Sequence, residues 1–166
     1  MNRSDFLKKS LAAGTTALIV PKVFSQETER PIFTSDQIYD FVAAAHNDFE
    51  KVKAIYQETP FILNCTNQIK RGDFETALGG AAHMGRKDIA NFLISKGARM
   101  DIFSYAFLGF DDFVMKQIEL YPALLESPGP HGFTLLHHAK VGGRTELMEW
   151  LIGKGLTETF IKGAFG

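Results

Sequence analysis

Apolar residues along this chain recur at helical spacing in short blocks, each separated from the next by small turn residues. Thr34 followed by Gln37 fits a capping box, and Ile38, Phe41, Val42 and Ala45 then fall on one helical face. The clearest block is 73–101. There the small pair Ala81-Ala82 precedes a turn at Gly85, and an apolar run through Ile89, Phe92, Leu93 and Ile94 stops at Lys96-Gly97-Ala98. Three further segments share its plan of a small turn residue with an acid three positions on: Asn47 with Glu50, Gly109 with Asp112, and Gly143 with Glu146, beside Gly85 with Asp88. Glycine or asparagine tolerates positive φ where one helix ends, and an acid in the next first turn complements its free N–H groups. Four copies of helix, tight turn and helix are therefore expected. Their spacing is irregular, so the connecting loops should differ in length. No long apolar strand run competes, and the expected fold class is all-α.

The N-terminus follows another pattern. Arg3, Lys8 and Lys9 give a positive start, residues 11–20 form an apolar run, and Pro21 ends it before Val23-Phe24-Ser25. This is the layout of an export signal, too short to span a bilayer core of roughly 30 Å; an amphipathic N-terminal helix is the alternative. The start Asn2-Arg3-Ser4-Asp5-Phe6-Leu7-Lys8 resembles a twin-arginine signal, with Ser4 where the second arginine would stand. The expected organisation is a signal peptide at 1–25, a linker at 26–34 and one folded domain at 35–166, exported to the periplasm with no stable membrane span after signal removal.

Charge and cysteine content narrow the function. Over 166 residues the formal charge is −1. Cleavage after Ser25 removes Arg3, Lys8, Lys9 and Lys22 against Asp5 and leaves 14 basic and 18 acidic residues, a formal charge of −4. Such a chain is repelled by phosphate backbones, so nucleic acid is not an expected partner. The single cysteine, Cys65, excludes an intramolecular disulfide and an all-cysteine metal site.

The repeat units resemble the ankyrin family. Gly132-Phe133-Thr134-Leu135-Leu136-His137-His138-Ala139 matches that family's Gly-x-Thr-Pro-Leu-His-x-Ala with Leu135 in place of proline. Thr76, Leu78 and Ala81 keep part of the same pattern. Its later half stands in Gly85-Asp88-Ile89-Leu93-Ile94-Gly97-Ala98 and again in Gly143-Glu146-Leu147-Leu151-Ile152-Gly155. The first and third units are degenerate and share Thr59-Pro60-Phe61-Ile62-Leu63 and Tyr121-Pro122-Ala123-Leu124-Leu125. The resemblance covers roughly 35–157 and implies an ankyrin-type helix-turn-helix solenoid of about four repeats. In such a stack the units are stable only through their neighbours. Leu93, Leu147, Leu151, Phe92 and Trp150 are the core candidates. The apolar tail, 156–165, either folds back over the fourth unit or pairs with a second chain.

Candidate chemistry is sparse. A metal or acid–base site could be sought in His131, His137 and His138, but adjacent histidines on a helix point about 100° apart and do not easily share one ion. The resemblance makes His137 a structural histidine that bonds loop backbone. Cys65 has no histidine close in sequence, and there is no Gly-x-Ser-x-Gly elbow, Walker loop or His-Glu-x-x-His. No catalytic residue, metal ligand or cofactor is expected.

What remains is a surface. The resemblance implies a partner face made by the first helices and the loops before them, carried by His46, Glu75, His83, Met84, Phe107, Leu108, Phe133, His138 and Val141. Several of these are apolar or aromatic where a solvated face would be polar, as at interface centres. Phe107 and Leu108 read equally well as core. The expected function is a non-catalytic protein-protein interaction module of a bacterial cell envelope. A metal- or small-ligand-binding protein using His131, His137 and His138 is the alternative, and self-association through the tail a further one.

Overall fold

The computed structural model describes residues 33–165; the export signal expected at 1–25 and all but the end of the expected linker lie outside them. The described chain is mainly helical. Eight α-helices run in order: α1 (Ser35–Ala44), α2 (Phe49–Glu58), α3 (Ala77–His83), α4 (Lys87–Ser95), α5 (Ile102–Leu108), α6 (Asp111–Leu120), α7 (Leu135–Gly142) and α8 (Thr145–Gly153). Short 3₁₀ turns at Pro60–Asn64, Pro122–Glu126 and Pro130–Gly132 link them.

The helix starts and stops have local causes. Thr34 caps α1 in a full capping box with Gln37, as the sequence suggests. Asp48 caps α2, Thr76 caps α3 and Thr134 caps α7, each through its side-chain oxygen. Gly109 and Gly143, at φ 93° and 70°, close α5 and α7 in the left-handed region. Helices α1, α3, α5 and α7 pack each against the next, while α2, α4, α6 and α8 back their own hairpin partners.

Two apolar clusters result. One gathers Phe41, Val52, Ile62, Ala81, Ile89, Leu93 and Phe107; the other gathers Ala106, Val114, Leu135, Ala139, Leu147 and Leu151. Leu93, Leu147 and Leu151 are fully buried as expected, while Phe92 and Trp150 are half-buried at the cluster edges.

The all-α expectation needs correction. Between α2 and α3 the chain forms an antiparallel hairpin, β1 (Thr66–Lys70) with β2 (Asp73–Thr76), turning at Gly72 and pairing Thr66 with Thr76 and Gln68 with Phe74. The usual strand signal is inverted, which is why it escapes an apolar-pattern reading. In β2 the inward residues are Asp73 and Glu75, at 1% and 2% exposure, while Phe74 faces out at 53%.

The C-terminal tail folds back without forming a helix. Thr134 Oγ1 donates to the Glu158 carbonyl at 2.7 Å, the Thr134 amide donates to Thr159, and the Ile161 amide donates to Gly132 at 2.8 Å. Phe160 pairs with Phe133 in a single bridge. The tail therefore clasps the turn at Pro130–Gly132. No helix among the described residues is long and apolar enough to cross a membrane.

A candidate metal centre

Four side chains from four separate elements converge where β2 meets the Pro130–Gly132 turn. His46 follows α1, Glu75 lies on β2, His83 ends α3, and His131 sits in the turn. One ligand atom from each lies within 4.8 Å of every other. His83 Nε2 is 2.8 Å from Glu75 Oε1 and 3.1 Å from His46 Nε2; His131 Nε2 is 3.4 Å from Glu75 Oε1, and His46 Nε2 is 3.5 Å from Glu75 Oε2. Around an ion with bonds of about 2.0–2.1 Å, tetrahedral ligand atoms stand roughly 3.3 Å apart. The observed spacings bracket that value.

His46 and His131 are held from behind by polar contacts, and His83 by stacking alone, its Nδ1 being buried with no hydrogen-bond partner. His46 Nδ1–H donates to the Val42 carbonyl at 3.0 Å, since a carbonyl only accepts, and this turns Nε2, the nitrogen that bears the lone pair in the neutral ring, to the cluster. Gly80 makes room for that ring: a Cβ at this position would stand 2.9 Å from His46 Cε1. Phe133 lies between two imidazoles, stacked on His83 at 5.1 Å and on His137 at 4.1 Å between ring centroids. His137 Nε2–H in turn donates to the His83 carbonyl at 2.9 Å. Burial pushes the His137 imidazole below its ordinary value, against the pull of that carbonyl.

His131 adopts φ 60°, the one left-handed non-glycine residue among those described. Such a conformation costs about 1–3 kcal/mol and persists where surrounding contacts over-determine it. Here they do. The Asp73 carboxylate accepts the His131 amide at 3.0 Å and stands 3.8 Å from His131 Nδ1. The tail holds Gly132 through Ile161, and Gly129 donates to the Phe133 carbonyl at 2.8 Å. A carboxylate behind a ligating imidazole is the usual outer support of a metal site.

Charge is the strongest local constraint. Glu75 is buried at 2% exposure, and among the described residues all its ion-pair partners are imidazoles and neither lysine nor arginine reaches it. A buried carboxylate needs a compensating positive charge. Three imidazole nitrogens and one carboxylate oxygen form a donor set suited to a divalent zinc, nickel, copper or iron ion.

The surface expected from the sequence is largely absent. Glu75, His83, Phe107 and His138 are buried, at 2%, 5%, 0% and 0% exposure, so they present nothing to a partner. Phe107 is core, and Leu108 packs half-buried on the first apolar cluster. His46 and Phe133 are half-buried parts of the four-residue cluster and its support. Met84 and Val141 alone of the nine keep substantial exposure, 51% and 36%.

Nor do His131, His137 and His138 form a site together. His137 is tied to backbone, and His138 Nδ1–H donates to the Thr134 carbonyl at 2.8 Å inside the second cluster. Burial drives His138 down to about 4 and leaves its Nε2 with no partner. Only His131 of the three reaches the converging group. Burial raises the Cys65 thiol above its ordinary value, the opposite of what an activated nucleophile needs.

Sequence reasoning passed over His46, Glu75 and His83 as ligands because they are scattered along the chain. Their signal was the sequence Asp73-Phe74-Glu75, which puts two acids on one strand face. Compared with protein-family models and with curated proteins, the chain matches none.

Proposed function

We propose that this protein binds a divalent transition-metal ion through His46, Glu75, His83 and His131. The observation that carries the reading is the convergence of three imidazoles on a buried carboxylate that no lysine or arginine among the described residues reaches. The ion supplies the positive charge that a protonated imidazole would otherwise have to bring to Glu75, while Val42 orients the His46 ring and Asp73 holds the His131 backbone amide. Titration calorimetry with zinc, cobalt, nickel and copper tests this. One site per chain is expected for at least one ion, with thermal stabilisation of about 2.7 kcal/mol at a hundredfold excess over Kd. Binding should be lost in Glu75→Gln. Binding that survives Glu75→Gln and His83→Ala together would refute the assignment.

The scaffold reading remains part of the proposal. The helical hairpins are read as a solenoid of about four ankyrin-like units, supported by threonine caps at Thr76 and Thr134 and by left-handed glycines at Gly85, Gly97, Gly143 and Gly155. Export to the periplasm is proposed from the N-terminal pattern, and fractionation of expressing cells checks it.

A protein-binding role is a second reading, favoured by one observation. Met84 and Val141 are exposed, and Gly85, beside Met84, lies against Val141, with 3.6 Å from its Cβ position to the valine Cβ. A pull-down from envelope extract with wild type and a Met84→Glu/Val141→Glu variant tests that patch, and equal recovery from both would remove it.

A further inference from the structure

The four ligands are unequally covered, and the difference has a direction. The side chains of Glu75 and His83 are 2% and 4% exposed, whereas those of His46 and His131 are 23% and 32% exposed. The two covered ligands form a floor and the two open ones a rim. That rim borders a cleft of about 430 Å³ whose other walls include Tyr39, Ala43, Asn67, Gln68 and Ile69. Four protein ligands on all sides close a structural zinc site. Here two of the four leave the side toward the cleft uncovered, which gives room for the fifth ligand that sites acting on a molecule accept.

Resting on the metal-binding reading, we infer that the bound ion turns one exchangeable coordination position to this cleft, where it takes a small oxygen or nitrogen ligand, neutral or singly negative. Size follows from the cleft volume. Charge follows from its walls. Among the ligands Glu75 alone is anionic and Asp73 stands behind His131, so an ion of charge two leaves at most one positive charge at the site. Asn67, Gln68 and Tyr39 supply neutral donors and acceptors, and among the described residues no lysine or arginine lines the cleft. A carboxylate, hydroxamate or azide meets these terms. A doubly charged phosphate finds no cationic side chain to share its second charge.

Cobalt(II) reports the coordination sphere directly through its visible absorption bands. The full chain is loaded with cobalt and titrated with azide, acetohydroxamate and inorganic phosphate. Saturable band shifts are expected for azide and acetohydroxamate, each competing with the other, and at least tenfold weaker binding for phosphate. Ala43→Trp and Ile69→Trp, which narrow the cleft away from the ligands, should retain the cobalt spectrum and weaken acetohydroxamate at least tenfold. A cobalt spectrum indifferent to both small ligands would mean a closed site and overturn the inference. So would unchanged acetohydroxamate affinity in both tryptophan variants. A chain that develops no cobalt spectrum would overturn the metal-binding reading and this inference with it.

Discussion

The first half of the described chain, α1 to α4, and the second, α5 to α8, run through the same order of elements to different ends. In each, a helical hairpin is followed by a proline-started 3₁₀ turn, at Pro60–Asn64 and Pro122–Glu126, and then by a threonine-capped hairpin. Aligned at the glycines Gly85 and Gly143, Thr76 stands with Thr134, Ala81 with Ala139, Leu93 with Leu151, and Gly97 with Gly155. Aligned at Pro60 and Pro122, Val52 stands with Val114 and Ala44 with Ala106. Core and caps thus agree.

The chemistry does not. Where the first half has His46, Glu75 and His83, the second has Leu108, Phe133 and Val141. The first half also carries the extra length of the β1–β2 hairpin, which delivers Glu75 inward. Against these three ligands the second half contributes one, His131, from the turn that stands opposite Asp73 in the alignment. One half is therefore built around a polar centre and the other around packing. The fourth ligand and the clasping tail join them.

The comparison can be broken at its shared part first. Leu93→Ala and Leu151→Ala occupy matching, fully buried positions, and each should cost about 2–5 kcal/mol in chemical denaturation. A cost confined to one of them would show that the halves do not share a packing plan.

The unshared part should respond next. His83→Ala is expected to weaken metal binding at least a hundredfold, about 2.7 kcal/mol, by calorimetry. Val141→Ala, at the matching position, should leave affinity within twofold. Equal losses would erase the distinction between the halves.

The two halves also differ in how they treat buried histidine. His138 is held neutral in the second cluster, its value lowered by burial from 6.5 to about 4. A depressed folded value means that the unfolded chain takes up the proton first as pH falls. Its contribution is complete above pH 6.5 and is lost progressively down to pH 4, at about 3 kcal/mol. A His138→Phe variant should flatten the fall in stability across that window relative to wild type. An unchanged slope would place the acid sensitivity elsewhere.

The smallest effect belongs to Gly80, which stands where the second half has His138. Gly80→Ala brings a methyl group against the His46 ring and should weaken metal binding about tenfold, 1.4 kcal/mol. Gly153→Ala, with open space at its Cβ position, is the control and should leave binding unchanged.

Much of the fold was legible because its causes are local. Thr34 with Gln37, the left-handed turns at Gly85 and Gly143, and the periodicity of Ile89, Phe92 and Leu93 each declare themselves within a few residues. The hairpin did not, since inward Asp73 and Glu75 reverse the usual strand pattern. Nor did the site. Its ligands come from positions 46, 75, 83 and 131, which only the tertiary fold brings together, whereas the histidines close in sequence, His131, His137 and His138, are held apart by their backbone bonds. His46, Glu75 and His83 stand at positions that the ankyrin resemblance assigns to a partner face. A position that reads as variable surface becomes a candidate ligand once its burial is known.

The central claim, that His46, Glu75, His83 and His131 share one ion, is tested most directly by X-ray absorption on the zinc-loaded full chain. A first shell of three imidazole nitrogens and at least one oxygen at about 2.0–2.2 Å is the expected result, with the imidazole contribution falling to two in His131→Ala. A shell of oxygens without imidazole scattering, or an imidazole count unchanged in His131→Ala, would contradict it.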